Sequence, residues 1–161
     1  MTGVEPAALT AHPFTAGLTG GQLTRLAALA VPVEFPAGRR LFDEGGRADR
    51  LWLITAGRVA LDLRAPGRPG VIVETLGPGA ELGLSWLTAA ARWQFGAVAQ
   101  LPVTAFELPS AGVVALCEAD HELGYLLTRR LLATAIARLQ AARVRILDLY
   151  AAPAHQPGQA P

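Results

Sequence analysis

The segment from Leu76 to Ala99 holds the residues with the clearest capacity to bind a small molecule. Two glycine turns lead into a short helix-capable stretch over Leu84–Leu87, and an arginine-tryptophan pair, Arg92 and Trp93, follows. Ser85 can offer its hydroxyl or its N–H to an anion, or can help to cap the short helix. Strand-like sequence lies on both sides of the segment. The arrangement predicts a ligand-binding cassette inserted between two strands of a β-roll.

Catalytic chemistry is not indicated by the titratable residues. His12, His121 and His155 are far apart in the sequence and show no metal-ligand spacing. Ser85 lies in no nucleophile motif, and no catalytic pair of carboxylates is implied. We therefore expect a protein that is not an enzyme and that binds no metal ion.

Composition predicts a single cytoplasmic domain. The chain has 161 residues, which is long enough to bury a hydrophobic core. Its net charge of +1 creates no strong positive potential that would attract nucleic acid. No apolar run reaches the roughly 18 residues of a membrane span, and the N-terminus lacks the features of a signal peptide. The single cysteine, Cys117, excludes an internal disulfide and fits a reducing compartment.

The strand pattern predicts a mainly β protein with flanking helices. From Val33 onward apolar residues alternate with polar ones, in about eight short strands that end at turn residues. Ala56-Gly57 predicts a tight hairpin turn, and Leu101-Pro102 predicts another. These features predict an eight-stranded antiparallel β-roll of the double-stranded β-helix or jelly-roll type.

Helix caps mark the flanking helices. Thr19 predicts the start of a helix that runs to about Ala30, and Ser110 can cap a short helix. Asp120 predicts the start of a long helix that reaches about Tyr150. The predicted organisation is a lead-in over 1–12, the roll with its flanking helices over 13–118, the long helix over 119–150 and a disordered tail over 151–161.

The long helix carries an apolar stripe with alternating spacings of three and four residues. We predict a homodimer through 125–150, with the first part of the helix, through Leu127, packed on its own roll. The alternative is a helix that lies across its own barrel throughout. The stripe consists of Tyr125, Thr128, Leu132, Ala135, Leu139, Ala142, Ile146 and Leu149.

In this order, the elements resemble the cyclic nucleotide-binding domain of the Crp/Fnr superfamily of bacterial regulators, from about Pro13 to Tyr150. The segment Leu51–Val59 is similar to the family's "LY-I-x-x-G-x-V" motif. The other matching segments are Phe35-Pro36-Ala37-Gly38, Asp43-Glu44-Gly45, Gly77-Pro78-Gly79 and Leu82-Gly83.

The resemblance implies that residues 79–93, the cassette, bind cAMP, cGMP or a related anion. In the family, backbone N–H groups and an arginine hold the cyclic phosphate, and a glutamate takes the ribose hydroxyl. An ungapped alignment from Gly79 puts Gly83 at the cassette glycine and Leu84 at the glutamate. It places Trp93 at the arginine position, one residue after Arg92.

A gapped alignment matches Glu81-Leu82-Gly83-Leu84 to the family's Glu-Leu-Ala-Leu and places Arg92 eleven residues further on. We expect ligand binding to depend on Arg92, whose alternative interpretation is a solvated loop arginine. Thr128 can contact a base across the dimer, whereas Arg129 and Arg130 are expected in solvent. The predicted ligand-binding residues are Gly83, Leu84, Ser85, Arg92 and Trp93.

The predicted function is a non-catalytic sensory or regulatory domain that signals through the dimer of long helices. The alternative is a ligand-free module for dimerisation and protein interaction. The family's regulators carry a helix-turn-helix after the long helix, and the eleven residues after Tyr150 cannot form a recognition helix. We therefore expect a stand-alone form that does not bind DNA directly and that can act through a partner protein.

Overall fold

The computed structural model describes residues 3–64 and 66–151, and the predicted disordered tail lies almost wholly outside them. The predicted fold class, an antiparallel β-roll with flanking helices and a long last helix, is confirmed. No helix of these residues is long and apolar enough to cross a membrane. The helices are α1 (Pro6–Leu9), α2 (Gly20–Leu29), α3 (Ser110–Ala119) and α4 (His121–Ala151). The strands are β1 (Val31–Phe35), β2 (Arg40–Phe42), β3 (Arg50–Leu63), β4 (Val71–Leu76), β5 (Glu81–Leu82) and β6 (Gly96–Pro109).

One long ladder forms the frame of the roll. Strands β3 and β6 each have 14 residues and pair antiparallel, from Arg50 opposite Pro109 to Asp62 opposite Gly96. The order across the sheet is β1-β6-β3-β4, with β2 paired to β6 and β5 paired to β3. Along the chain, the cassette therefore lies between the two strands that form this ladder.

The two hairpin turns predicted at Ala56-Gly57 and Leu101-Pro102 are wrong. Strands β3 and β6 continue through these positions without a turn, and the ladder shifts register around them. Gly57 has φ +90, and a Cβ atom there would lie 2.1 Å from the Pro102 carbonyl oxygen. Glycine is required at position 57 because the strands bend and approach closely there. Glycine is also a typical residue of tight turns, so the sequence alone does not distinguish a bend from a turn. The six strands described thus replace the predicted eight.

The side chains of β3 point alternately into two separate cores. Leu51 and Leu53 lie in the core between the sheet and the helices. Trp52 and Ile54 point to the opposite face, into the interior of the roll. This is the two-residue period of a strand buried on both faces.

The predicted helix caps are confirmed at α2 and α4, but not at α3, where Ser110 is the first helical residue and Pro109 holds the N-cap position. Thr19 and Gln22 form a reciprocal capping box at the start of α2. An Asp120 carboxylate oxygen accepts from the Leu123 N–H at 3.0 Å. The same carboxylate pairs with Arg25 of α2, so it holds α4 against α2 as well as starting it.

Helix α4 packs on the roll through its first part, as predicted, and its contacts with the roll continue past the predicted limit of Leu127 to Thr134 and Arg138. Leu123, Leu127 and Leu131 are buried, and no residue of the helix after Leu131 is buried. Arg130, expected in solvent, instead donates to the carbonyl oxygens of Phe14 and Ala16. These carbonyls end the short 3-10 turn Pro13–Thr15 and need donors, which explains why the guanidinium lies against them.

Candidate functional site

A cavity of about 620 Å³ lies between the cassette, the roll and α4. Most of its lining side chains are apolar, and its charged ones come from β4 and α4. Among the described residues, no group of three or more His, Cys, Asp or Glu residues could hold a metal ion. The apolar lining consists of Phe42, Leu61, Val73, Leu82, Gly83, Leu84, Leu87, Trp93, Phe95, Ala135, Leu139 and Ala142. The polar lining consists of Glu74, Ser85, Thr88, Gln94, Arg138 and Arg145.

The cassette helix begins at a glycine that no other residue could replace without strain. Gly83 has φ +99 and precedes the 3-10 helix Leu84–Leu87, at the position where the sequence predicts a short helix. A Cβ atom on Gly83 would lie 2.7 Å from the Arg50 carbonyl oxygen and 3.2 Å from the Trp93 ring. Glycine thus lets the cassette pass directly over β3.

Four of the five predicted ligand-binding residues line this cavity. Gly83, Leu84, Ser85 and Trp93 come together there, although they lie at opposite ends of the cassette sequence. The Ser85 hydroxyl accepts from the Gln94 N–H at 3.2 Å, which ties the two arms of the cassette together. Ser85 therefore has a structural partner in addition to facing the cavity.

Arg92, the fifth predicted residue, lies apart from the cavity. Its side chain is exposed, and its guanidinium donates to the Gly45 carbonyl oxygen at 2.9 Å. Its backbone forms an isolated bridge with Arg47. The structure thus places Arg92 against the loop that joins β2 to β3. The dependence of ligand binding on this residue stays a prediction.

Trp93 occupies the inner wall of the cavity. The residue is 5% exposed, and its ring stacks on Phe42 at a centroid distance of 4.0 Å. Trp52 lies 5.8 Å from Trp93 and completes an aromatic cluster. The Arg-Trp pair is thus divided: the tryptophan lines the interior and the arginine lies outside.

Helix α4 is fastened to the base of the cassette at Glu81. This buried carboxylate accepts from the Thr134 hydroxyl at 3.1 Å, and the Glu81 carbonyl accepts from Arg138. The Arg138 Nε atom lies 3.6 Å from a Glu74 carboxylate oxygen. Burial lowers the pKa of the Arg138 guanidinium, and the carboxylates of Glu74 and Glu81 oppose that shift.

The sequence interpretation missed Arg138 and Arg145 as residues of this site. Both line the cavity, together with Ala135, Leu139 and Ala142 of the apolar stripe. The available signal was their spacing of seven residues, which puts both on one helix face beside two alanines. The small alanine side chains leave room between helix and roll, so this stretch of the stripe borders its own cavity.

Thr128, predicted to contact a base, is exposed and lines a different depression. This groove has a volume of about 560 Å³ and lies between α3 and the first part of α4. Trp86 lines it too, and the Trp86 indole N–H is buried without a hydrogen-bond partner in the described residues. Within one protomer Thr128 therefore does not reach the cassette cavity, and its contact across a dimer stays a prediction.

His12 lies buried close to Glu81. Its Nδ1 atom accepts from the Phe14 N–H at 3.2 Å and caps the turn Pro13–Thr15. Burial holds the pKa of His12 below its ordinary value of 6.5, although the Glu81 carboxylate and the carbonyls of Ala80 and Ile54 act in the opposite direction. Desolvation is the largest of these effects because it disfavours the charged ring.

The roll, the inserted cassette helix and the long helix beside it define a cassette-bearing β-roll domain. The family model for the "Cyclic nucleotide-binding domain" matches residues 32–120, more than half of the chain. The chain belongs to this family. A CRP-like cAMP-activated global transcriptional regulator from Mycobacterium tuberculosis is 34% identical to it over 76 residues. That match covers 47% of this chain and 28% of the regulator's length.

Solved structures show the same architecture. A candidate cyclic nucleotide-binding protein from Geobacter metallireducens GS-15 superposes with a TM-score of 0.75 at 30% identity. The alignment covers 84% of this chain and 98% of that one. The catabolite activator protein of Thermus thermophilus superposes with a TM-score of 0.68 at 25% identity, over 86% of this chain and 62% of that one.

Proposed function

We propose that this chain is a non-catalytic regulatory domain that binds cAMP, cGMP or a related anion in the cassette cavity. The observation that carries the proposal is a cavity of about 620 Å³ at the cassette of a member of this family. Pockets for small ligands measure about 300–1,000 Å³, with mostly apolar walls and a few polar groups. The cavity beside the cassette meets both criteria.

The proposed signal leaves the cavity through α4. This helix forms one wall of the cavity, and Thr134 and Arg138 fasten it to Glu81 at the base of the cassette. A ligand can shift a conformational equilibrium only if it contacts the two states differently. A ligand that touches both the cassette and α4 has that property, because a change in helix position changes its contacts.

The proposed output is a homodimer formed through the exposed residues of the apolar stripe of α4, with a partner protein as the alternative. Large apolar side chains of the stripe are exposed in the protomer: Tyr125 by 62%, Leu132 by 58%, Ile146 by 53% and Leu149 by 79%. Exposed apolar stripes with this spacing are typical of helices that pair.

Calorimetric titration and thermal unfolding with cAMP and with cGMP test ligand binding. We expect saturable binding and a higher melting temperature, since a ligand at 100 times its Kd adds about 2.7 kcal/mol to stability. Ala135→Trp fills the cavity from α4 and should abolish the shift. The matched control is Ala141→Trp, at an exposed position that does not line the cavity. No shift with either nucleotide at millimolar concentration would overturn the proposal for cyclic nucleotides.

The second candidate is a ligand-free interaction module. It is favoured by the aromatic ring of Trp93 at the position that the ungapped alignment gives to the phosphate-binding arginine. It is also favoured by the contact of Arg92 with Gly45 outside the cavity. A stable dimer whose melting temperature responds to no anion, in both wild type and Ala135→Trp, would select this candidate.

A further inference from the structure

The charged side chains that line the cavity come from strand β4 and helix α4 and not from the cassette. The polar side chains that the cassette and its exit contribute are Ser85, Thr88 and Gln94, all of which are uncharged. The charged lining residues are Glu74 from β4 and two arginines from α4. The electrostatic character of the cavity is therefore set by strand β4 and the long helix.

The two arginines of α4 differ in their partners. Arg138 is partly buried and donates to the Glu81 carbonyl, and its Nε atom lies 3.6 Å from a Glu74 carboxylate oxygen. Arg145 is exposed, lines the cavity and belongs to none of the ion pairs found among the described residues. Since Glu74 offsets Arg138, the positive charge available to a ligand belongs to Arg145.

The distance between the two arginines suits one ligand. Arg145 follows Arg138 by seven positions on the helix, so the two residues lie about 10 Å apart along its axis. Between them lie Leu139 and Ala142, which line the cavity with apolar surface. The aromatic ring of Trp93 forms part of the remaining wall. An amphipathic molecule fits this distribution, with its apolar or planar part against Trp93 and its charged end at the helix.

We propose that the long helix, through Arg145, binds the anionic group of the ligand, in place of an arginine from the cassette. This inference rests on the proposed function, because it assumes that the cavity takes an anionic ligand. The ligand class is a small anion with a planar, largely apolar body. Arg138 and Glu74 provide hydrogen-bonding groups next to the charged guanidinium of Arg145. The ligand then bridges the cassette and α4, and binding holds the helix against the roll.

Two fluorescent probes of nearly equal shape test this assignment in the full chain. 8-Anilinonaphthalene-1-sulfonate carries a negative charge, and N-phenyl-1-naphthylamine is its uncharged counterpart. Arg145→Gln should weaken binding of the sulfonate by about 10- to 100-fold, the value of a charge-assisted contact. It should leave binding of the uncharged probe unchanged. Arg145→Lys should retain most of the affinity.

Matched variants identify which arginine acts. Arg143→Gln removes the same charge from the same helix at a residue outside the cavity lining, and Arg92→Gln removes the cassette arginine. We expect both variants to bind the sulfonate as the wild type does. Circular dichroism checks that each variant folds. The same variants are then titrated with cAMP and cGMP.

The outcomes separate the inference from the proposed function. Sulfonate affinity that is unchanged in Arg145→Gln and lost in Arg92→Gln overturns the assignment to α4 and leaves the anion site standing. An equal loss of sulfonate affinity in Arg143→Gln would attribute the effect to the overall charge of the helix. That result would also overturn the assignment to Arg145. A wild-type chain that binds no anionic probe overturns the inference and the proposed function together.

Discussion

Trp93 and Phe42 are stacked, with ring centroids 4.0 Å apart and ring planes inclined by 18°. Trp52 lies 5.5 Å from Phe42, so the cluster joins β2, β3 and the end of the cassette. The backbone supports the same junction, because the Gly45 N–H donates to the Trp93 carbonyl and the Trp93 N–H donates to the Gly46 carbonyl. Phe42 and Trp93 both line the cavity, so this cluster supports its inner wall.

Trp93→Ala should destabilise the domain strongly. Removal of a buried aromatic side chain leaves a void and costs about 3–5 kcal/mol. Trp93→Phe keeps a ring over Phe42 and should cost less. The free energy of unfolding is measured by urea denaturation. Leu87→Ala, in the same cassette but with its side chain 49% exposed, is the control, and it should cost about 1 kcal/mol or less. Equal costs for Trp93→Ala and Leu87→Ala would show that the cluster is not a support of the fold.

Gly57→Ala should be more harmful than Gly38→Ala. Both glycines have positive φ, +90 and +83, so both variants lose about 1–2 kcal/mol to backbone strain. Only at Gly57 would the new Cβ atom also meet the Pro102 carbonyl oxygen, whereas open space surrounds Gly38. The close approach should add about 1–3 kcal/mol. Equal melting temperatures for the two variants would contradict the bent, closely paired ladder.

His12 should make stability depend on pH in a defined direction. Its pKa in the folded protein is lower than its ordinary 6.5, so the unfolded chain binds the proton more readily. Stability is therefore full above about pH 6.5 and falls as the pH decreases from there toward the folded pKa. Glu81 is the charged group facing His12, and its carboxylate reduces the shift without reversing it.

His12→Asn should remove this pH dependence. Asparagine can accept from the Phe14 N–H, as the Nδ1 atom of His12 does, but it does not titrate. Chemical denaturation at pH 5.5 and pH 7.5 gives the slope. His121→Gln, at an exposed histidine, serves as the control and should keep the wild-type slope. A flat profile in the wild type would refute the role of His12.

Ile146→Glu should dissociate the proposed dimer. Ile146 is 53% exposed and belongs to the apolar stripe, where a carboxylate would be buried without a partner. Val144→Glu makes the same change on the same helix, at a residue that is 56% exposed but off the stripe. Sedimentation velocity should show a monomer for the first variant and a dimer for the second. A monomeric wild type at high concentration would end the dimer proposal.

Local signals were sufficient for the starts of α2 and α4. Thr19 and Gln22 lie within one turn of each other, and Asp120 caps the residues that directly follow it, so their hydrogen bonds depend on adjacent sequence. The cassette helix at Leu84–Leu87 was predictable for a related reason. A glycine before a short stretch of helix formers fixes where the chain turns.

The strand count failed because it depends on distant partners. Gly57 and Pro102 carry the sequence signals of turns, yet they face each other across one ladder. A turn and a bend in a strand use the same residue types, and only the pairing partner distinguishes them. That partner is separated from Gly57 by the whole cassette.

The charged residues of the cavity were hidden for a comparable reason. Arg138 and Arg145 follow the helical period, but periodicity does not reveal which face lies against the cassette. The apolar stripe suggested a dimer seam, and Ala135 and Ala142 lie on that stripe while also bordering the cavity. Arg92 lies within the cassette sequence, next to the position that the family alignment gives to the arginine, but its contact with Gly45 is a tertiary one that the sequence does not reveal.

The β3–β6 ladder also determines when the cavity can exist during folding. Arg50 pairs with Pro109 and Asp62 with Gly96, so the whole cassette lies within the loop that the ladder closes. Such distant pairing makes folding slow, because the entropy of loop closure is lost before the contacts form. The cavity walls meet only after this closure. We therefore expect a bound ligand to slow unfolding while leaving the refolding rate unchanged, which stopped-flow measurements with and without ligand would show.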